Sequence, residues 1–274
     1  MSHIAITMQA GAEQTDLLIA QLSAAGYEGF EEQPGVLIAY IPEPDFDEAV
    51  LRSVVQAHGV TYTRETILPV NWNALWESNF EPVQVDGFCG IRAAFHPPFD
   101  PQPVYEVVIT PKMSFGTGHH ATTFSMIQLM KGLDFGGKKV FDFGTGTGIL
   151  AILAGMMGAA AVDAIDYDEW ALNNSLENVE ANHAGRVNVW QADSLHAITG
   201  KYDILLANIN CNILLQFMGD MRSLLQPGGQ LLLSGILPSD EERIMVAATL
   251  QGFMPAGKRE KDNWLALQFE VPQA

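Results

Sequence analysis

Basic residues are scarce in this chain: 14 lysines and arginines stand against 32 aspartates and glutamates, for a formal net charge of −18. Affinity for nucleic acid rests largely on cations that neutralise phosphates, so direct nucleic-acid binding is not expected. The same field would attract a basic macromolecule, although acidity by itself also serves solubility. Cysteine is nearly absent. Cys89 and Cys211 alone argue against a disulfide framework and read as reduced thiols of a cytoplasmic protein. Long apolar runs are missing too: the longest, Ile149 to Val162, has 14 residues with two glycines, too short to cross a bilayer. Met1 to Ala10 lacks the basic start and apolar stretch of a secretion signal. No membrane partner is expected, and nothing demands more than a monomer.

What is present is ample apolar material, 48% of 274 residues, enough for two unequal domains. Residues 1–68 read as strand, helix, strand, strand, helix, strand. "EQTDLLIAQLSAAG" and "DFDEAVLRSVVQAHG" carry helical spacing with glycine stops, and Pro34-Gly35 marks a hairpin turn. That order is the ferredoxin-like α+β arrangement, and its lack of chemistry-bearing residues suits a recognition or docking domain. Residues 69–85 are expected to form a helical linker, with Trp72, Trp76 and Phe80 in one aromatic stripe that clamps it between domains. Short β segments surround the proline-rich "HPPFDPQP" that follows.

Residues 86–274 are expected to be the catalytic domain. Strands "KVFDF", "AAVDAID", "VNVWQAD", "YDILLAN" and "QLLLSG" alternate with helical patterns, and two last strands close the chain. Alternation of this kind predicts an α/β fold, a doubly wound and mostly parallel sheet. Ligands of such sheets sit beyond the carboxyl ends of the strands.

The first of those strands runs into Asp142-Phe-Gly144-Thr-Gly146-Thr-Gly148, a turn through which a ligand can approach the backbone. Gly146, Gly148 and Ala151 match the dinucleotide pattern, and Asp166 lies 20 residues beyond Gly146, so a dehydrogenase is a serious alternative. Two features oppose it. Asp142 precedes the first glycine, where a carboxylate suits a positively charged ligand better than a pyrophosphate. Polar residues also close successive strands: Asp166 to accept ribose hydroxyls, Asp193 to accept from an adenine amino group, and Asn208 at the fourth. Each alone reads as a cap or loop residue. The series together with Asp142 resembles the class I S-adenosylmethionine-dependent methyltransferases.

A second glycine cluster, "FGTGHHATT" at 115–123, narrows the resemblance. With "ANIN" at the fourth strand and "NWNALWESNFEP" ahead of both, the whole chain resembles the ribosomal protein L11 methyltransferases, in which a small ferredoxin-like domain precedes a class I catalytic domain. The resemblance implies that the 115–123 loop folds over bound S-adenosylmethionine. It further implies that Thr123, Gly144, Asp166 and Asn208 contact this cofactor, with Asp142, Gly146 and Asp193 completing the pocket. Gly116 and Gly118 would act as hinges, Thr122 and Thr123 would cap the following helix, His119 would order the lid, and His120 would pack in the loop. Adjacent histidine side chains diverge rather than converge on one ion, so no metal site is expected. The implied acceptors are the N-terminal amine and lysines of a basic ribosomal protein, L11, consistent with the acidic charge. Asn208, with backbone carbonyls near Ile209, is the candidate catalytic group, orienting the amine by accepting its hydrogen bonds. Asn210 departs from the apolar residue usual in the family and reads either as a helix cap or as a contact at the acceptor mouth. A methyltransferase acting on a nucleic-acid base or a release-factor glutamine, and a binding module without turnover, are the remaining alternatives.

Overall fold

A computed structural model describes residues 2–67, 80–112 and 118–273. The chain divides into two compact units, Met1–Leu75 and Trp76–Ala274. Trp72, Trp76 and most of the expected linker lie outside the described residues, as do Gly116 and the other residues at 113–117. The tail of the predicted linker is a strand instead, Val83–Val85.

The first unit runs β1 (His3–Gln9), α1 (Ala12–Ala24), β2 (Gly29–Gln33), β3 (Val36–Pro42), α2 (Glu48–His58) and β4 (Tyr62–Ile67). Its sheet has the order β2-β3-β1-β4 with every pair antiparallel, the ferredoxin-like topology read from the sequence. Strand alternation turns Ile4, Ile6 and Met8 of β1 and Leu37, Ala39 and Ile41 of β3 to one face, where Leu18, Leu22, Leu51 and Val55 of the helices cover them. The ends of α2 follow from local chemistry. The Asp47 carboxylate accepts from the amides of Ala49 and Val50, and Gly59 closes the helix at φ +64°.

The second unit opens with a small sheet, β5 (Val83–Val85), β6 (Cys89–Ala93) and β7 (Tyr105–Ile109), in that order. The main sheet follows: α3 (Ala121–Met130), β8 (Lys139–Phe143), α4 (Ile149–Met156), β9 (Ala161–Asp166), α5 (Glu169–Ala181), β10 (Val187–Gln191), β11 (Tyr202–Asn208), α6 (Cys211–Leu224), β12 (Leu225–Ile236), α7 (Glu241–Leu250), β13 (Met254–Lys261) and β14 (Trp264–Glu270). Its order is β10-β9-β8-β11-β12-β14-β13, parallel from β10 to β12 with β14 antiparallel to both neighbours. This is the doubly wound, mostly parallel arrangement expected. Both faces are covered, so the central strands are apolar without interruption: Ile204 and Leu206 pack on one side, Leu205 and Ala207 on the other. The order reverses direction between β8 and β11, the switch point at which ligands of such sheets collect.

One helix pairs with backbone through its side chains. Asn174, Asn178 and Asn182 recur every fourth residue on α5 and therefore share a face. Asn182 accepts from Val108 N–H and donates to Val108 C=O, at 2.8 and 2.6 Å. Asn178 accepts from Thr110 N–H at 2.7 Å, and Asn174 donates to Thr110 C=O at 3.1 Å. Asn178 also donates to the Thr147 carbonyl at 2.8 Å, tying the exit of β7 to the glycine turn.

Candidate active site

The glycine turn after β8 is held by the end of β9. The amides of Gly144 and Thr145 both donate to the Ile165 carbonyl at 2.9 Å, and Gly146 N–H donates to Asp166 Oδ2 at 2.9 Å. Glycine is obligatory at the first of these positions. Gly144 sits at φ +75°, and a Cβ there would fall 2.3 Å from Cγ2 of Ile209. The other oxygen of Asp166 accepts from Asp168 N–H at 3.0 Å, so this carboxylate organises two turns and still faces the cavity with unused lone pairs.

That cavity, about 730 Å³, lies over the carboxyl ends of β8, β9, β10, β11 and β12. Thr123, Gly144, Gly146, Asp166, Asp193 and Asn208 all line it, which gathers six of the seven predicted cofactor residues into one wall. Asp193 lines it from an exposed turn two residues past the end of β10, rather than from the strand itself.

Asp142 is the exception. It alternates onto the face covered by α4, fully buried, and does not line the cavity. Its carboxylate accepts from the Thr145 hydroxyl at 2.6 Å, so it stands one residue behind the wall. Burial pushes its carboxyl group up to about 7, the neighbouring Asp166 charge adds to the rise, and the hydrogen bond from Thr145 opposes it. Asp142 is thus placed to support the turn through Thr145.

Asn208 continues the alternation of β11 onto the face packed by α3, and there it meets Thr123. Its Nδ2 donates to the Thr123 hydroxyl at 3.2 Å. The carbonyl end, Oδ1, is buried and has no hydrogen-bond partner among the described residues. A buried acceptor without a donor is costly, about 1–3 kcal/mol, unless a ligand completes it. The site thus fits a ligand that brings an N–H.

The two histidines take different places from those expected. In G-T-G-x-H-x-T-T the histidine falls at 120, not 119. His120, rather than a threonine, caps α3: its Nδ1 accepts from Thr122 N–H at 3.3 Å and lies 2.8 Å from the Thr122 hydroxyl. It also lines the cavity and meets the Trp264 ring edge-on at 4.8 Å. His119 packs edge-on against Phe80 at 4.8 Å. Burial holds both imidazoles below their usual range. Gly118 keeps a glycine's role at φ +89°, where a Cβ would fall 2.4 Å from the Ile91 side chain. Asn210 resolves to the helix-cap reading: its Oδ1 accepts from Ile213 N–H at 3.2 Å at the head of α6, while the residue also lines the cavity.

Trp264 and Gly235 line the cavity unanticipated. Trp264 arrives from the last hairpin, 56 residues beyond Asn208, and carries no local signature. Gly235 could have been found, since it ends "LLLSG" as Gly144 follows "FDF". Among the described residues, no group of three or more His, Cys, Asp or Glu side chains could hold a metal ion.

A family model described as ribosomal protein L11 methyltransferase (PrmA) matches residues 4–272. The chain belongs to the ribosomal protein L11 methyltransferase family. It is 40% identical to the ribosomal protein L11 methyltransferase of Porphyromonas gingivalis over 93% of this chain and 90% of that one. It is 35% identical to that of Chlorobaculum tepidum over 98% and 96%. A solved structure, ribosomal protein L11 methylase from Lactobacillus delbrueckii subsp. bulgaricus, superposes with a TM-score of 0.64 at 26% identity, covering 71% of this chain and 99% of that chain. For a member of the ribosomal protein L11 methyltransferase family the dehydrogenase reading falls. The glycine turn agrees: the amides of Gly144, Thr145 and Gly146 are engaged within the protein rather than offered to a pyrophosphate. The described helices include none long and apolar enough to cross a membrane, and Cys89 and Cys211 are both unpaired and buried.

Proposed function

We propose that this chain is a cytoplasmic protein N-methyltransferase that uses S-adenosylmethionine to methylate amines of ribosomal protein L11, its N-terminal amine and lysines. The observation that carries this reading is the buried Asn208 Oδ1, without a partner among the described residues, beside a cavity lined by Asp166, Asp193, the glycine turn and apolar side chains. An incoming amine supplies the missing N–H.

S-adenosylmethionine, when bound, supplies a methyl group on a positively charged sulfur. Asp166 and Asp193 would hold its nucleoside, Gly144 and Gly146 give it room against the backbone, and Thr123 contributes its hydroxyl. Asp142 supports the turn from behind Thr145 and adds negative charge once it loses its proton, near pH 7. Asn208 would accept a hydrogen bond from the acceptor nitrogen, with its Oδ1 aimed by the Nδ2 bond to Thr123. A lysine amine titrates near 10.4 and must be neutral to react; the apolar part of the wall, Ile209, Ile213 and Trp264, lowers that value by desolvation. Alignment of the neutral amine then supplies much of the rate. The acidic ferredoxin-like unit is the recognition domain in this reading, and the −18 charge draws in a basic ribosomal protein.

The test is incubation of the protein with S-adenosylmethionine and undermodified ribosomes, followed by intact-protein mass spectrometry of L11. Whole-methyl mass increments on L11 are expected. Their absence from L11, with methyl transfer into another component, would replace the acceptor assigned here.

A further inference from the structure

Strand order places β11 between β8 and β12, and from each side a glycine stands against Ile209, the first residue past β11. The two contacts differ in kind. Gly144 meets the Ile209 side chain. Gly235 meets the backbone: a Cβ there would lie 2.2 Å from the Ile209 carbonyl oxygen, 2.7 Å from its carbonyl carbon and 3.2 Å from its nitrogen. A side chain can turn away from such a clash, whereas a peptide can only be displaced. Gly235 is also where the register of β12 against β14 shifts, between Ser234 and Ile236, and it holds φ +85°. Bulges of this kind re-aim a strand next to a site. Here the bulge falls where β12 meets the Ile209 peptide, and both Ile209 and Gly235 line the cavity.

We infer that Gly235 is a positioning residue for methyl transfer, acting through the Asn208–Ile209 backbone to hold the Asn208 carboxamide on Thr123. The inference rests on the function proposed above. A side chain at 235 would displace the 208–210 segment and turn the amine-accepting oxygen, while Asp166, at the end of β9 on the far side of β8, keeps its place.

The experiment compares Gly235→Ala with wild type and with Gly252→Ala. Gly252 has a matching φ of +81° and nothing within 4 Å of its would-be Cβ, so its variant carries the backbone strain without the clash. Gly235→Ala should lose kcat by about 10²-fold, the scale of an ångström's misplacement. Its S-adenosylmethionine Kd by calorimetry should stay within threefold, and Gly252→Ala should turn over as wild type does. Ile209→Gly, which loosens the same peptide but also removes an apolar side chain of the wall, should lose kcat at every pH and decides the matter if Gly235→Ala does not fold. A loss that recovers at high pH, as the lysine deprotonates, would come from weaker desolvation alone and overturns the inference. Wild-type turnover in Ile209→Gly or Gly235→Ala overturns the inference. So does an equal loss in Gly252→Ala, or a loss of cofactor affinity that matches the loss of kcat. Wild-type protein that binds the cofactor yet leaves L11 unmodified would overturn the functional reading itself, and this inference with it.

Discussion

Asn208 and Thr123, 85 residues apart in the chain, meet through a 3.2 Å hydrogen bond from carboxamide to hydroxyl, and the buried carboxamide oxygen beside it has no partner among the described residues. Asn208→Ala removes that oxygen, and kcat is expected to fall by about 10²-fold or more, the scale seen when one aligned hydrogen-bonding group is lost. Thr123→Val keeps the shape but frees the carboxamide to rotate, so a smaller loss in the same direction is expected. Single-turnover methylation of L11 measures both. Equal rates in the two variants would separate Thr123 from the aiming of Asn208.

Asp166→Ala takes away a cavity carboxylate and also the acceptor that pins Gly146, so the turn and the ligand contact fail together. Calorimetry should find no S-adenosylmethionine binding. Near-normal affinity would remove Asp166 from the pocket.

Asp142 gives the site a pH dependence of definite sign. Its carboxyl is raised from 3.8 to about 7 by burial. In the folded protein the proton is therefore retained to near neutrality, and a positively charged ligand favours its departure. Cofactor affinity should rise as pH rises through about 7, and Asp142→Asn should flatten that profile. Stability runs the other way. The folded state binds this proton more tightly than the unfolded one, so the group's stabilisation is full below 3.8 and is lost as pH rises through about 7. Calorimetric titrations from pH 6 to 8 decide the first claim, and melting curves over the acid range decide the second.

Salt should separate the two substrates. Attraction between an acidic enzyme and a basic protein is screened within about 8 Å at physiological ionic strength. kcat/KM for L11 should therefore drop severalfold between low and moderate salt, while cofactor affinity, set inside a walled cavity, changes little. Parallel losses would take the acidic surface out of recognition.

Asn178→Ala removes the hydrogen bonds to Thr110 N–H and to the Thr147 carbonyl. With about 0.5–1.5 kcal/mol for each bond lost, a loss of roughly 1–3 kcal/mol is expected, read as a lower melting temperature.

The strands and their order were legible because buried parallel strands are continuous apolar runs, and the glycine turn because its glycines are closely spaced in sequence. Thr123, Gly144, Asp166 and Asn208 were legible as strand-end or motif residues. What escaped depends on third dimensions. Asp142 looks like a pocket residue until alternation along β8 sends it under α4. His119 and His120 look interchangeable until one turns toward the cavity as a helix cap. Trp264 reaches the site only because β14 inserts beside β12, out of chain order. The asparagines of α5 recur at every fourth residue, but that spacing names no partner, and theirs is a strand more than 60 residues away.

That helix has a consequence for how the molecule keeps company. β7 is the outermost strand of its small sheet, and an outermost strand ordinarily exposes a row of amides and carbonyls that another chain can extend. Carboxamides from Asn174 and Asn182 occupy the row at Thr110 and Val108, with Asn178 between them. The fold thereby protects that edge against strand addition with neutral side chains of its own.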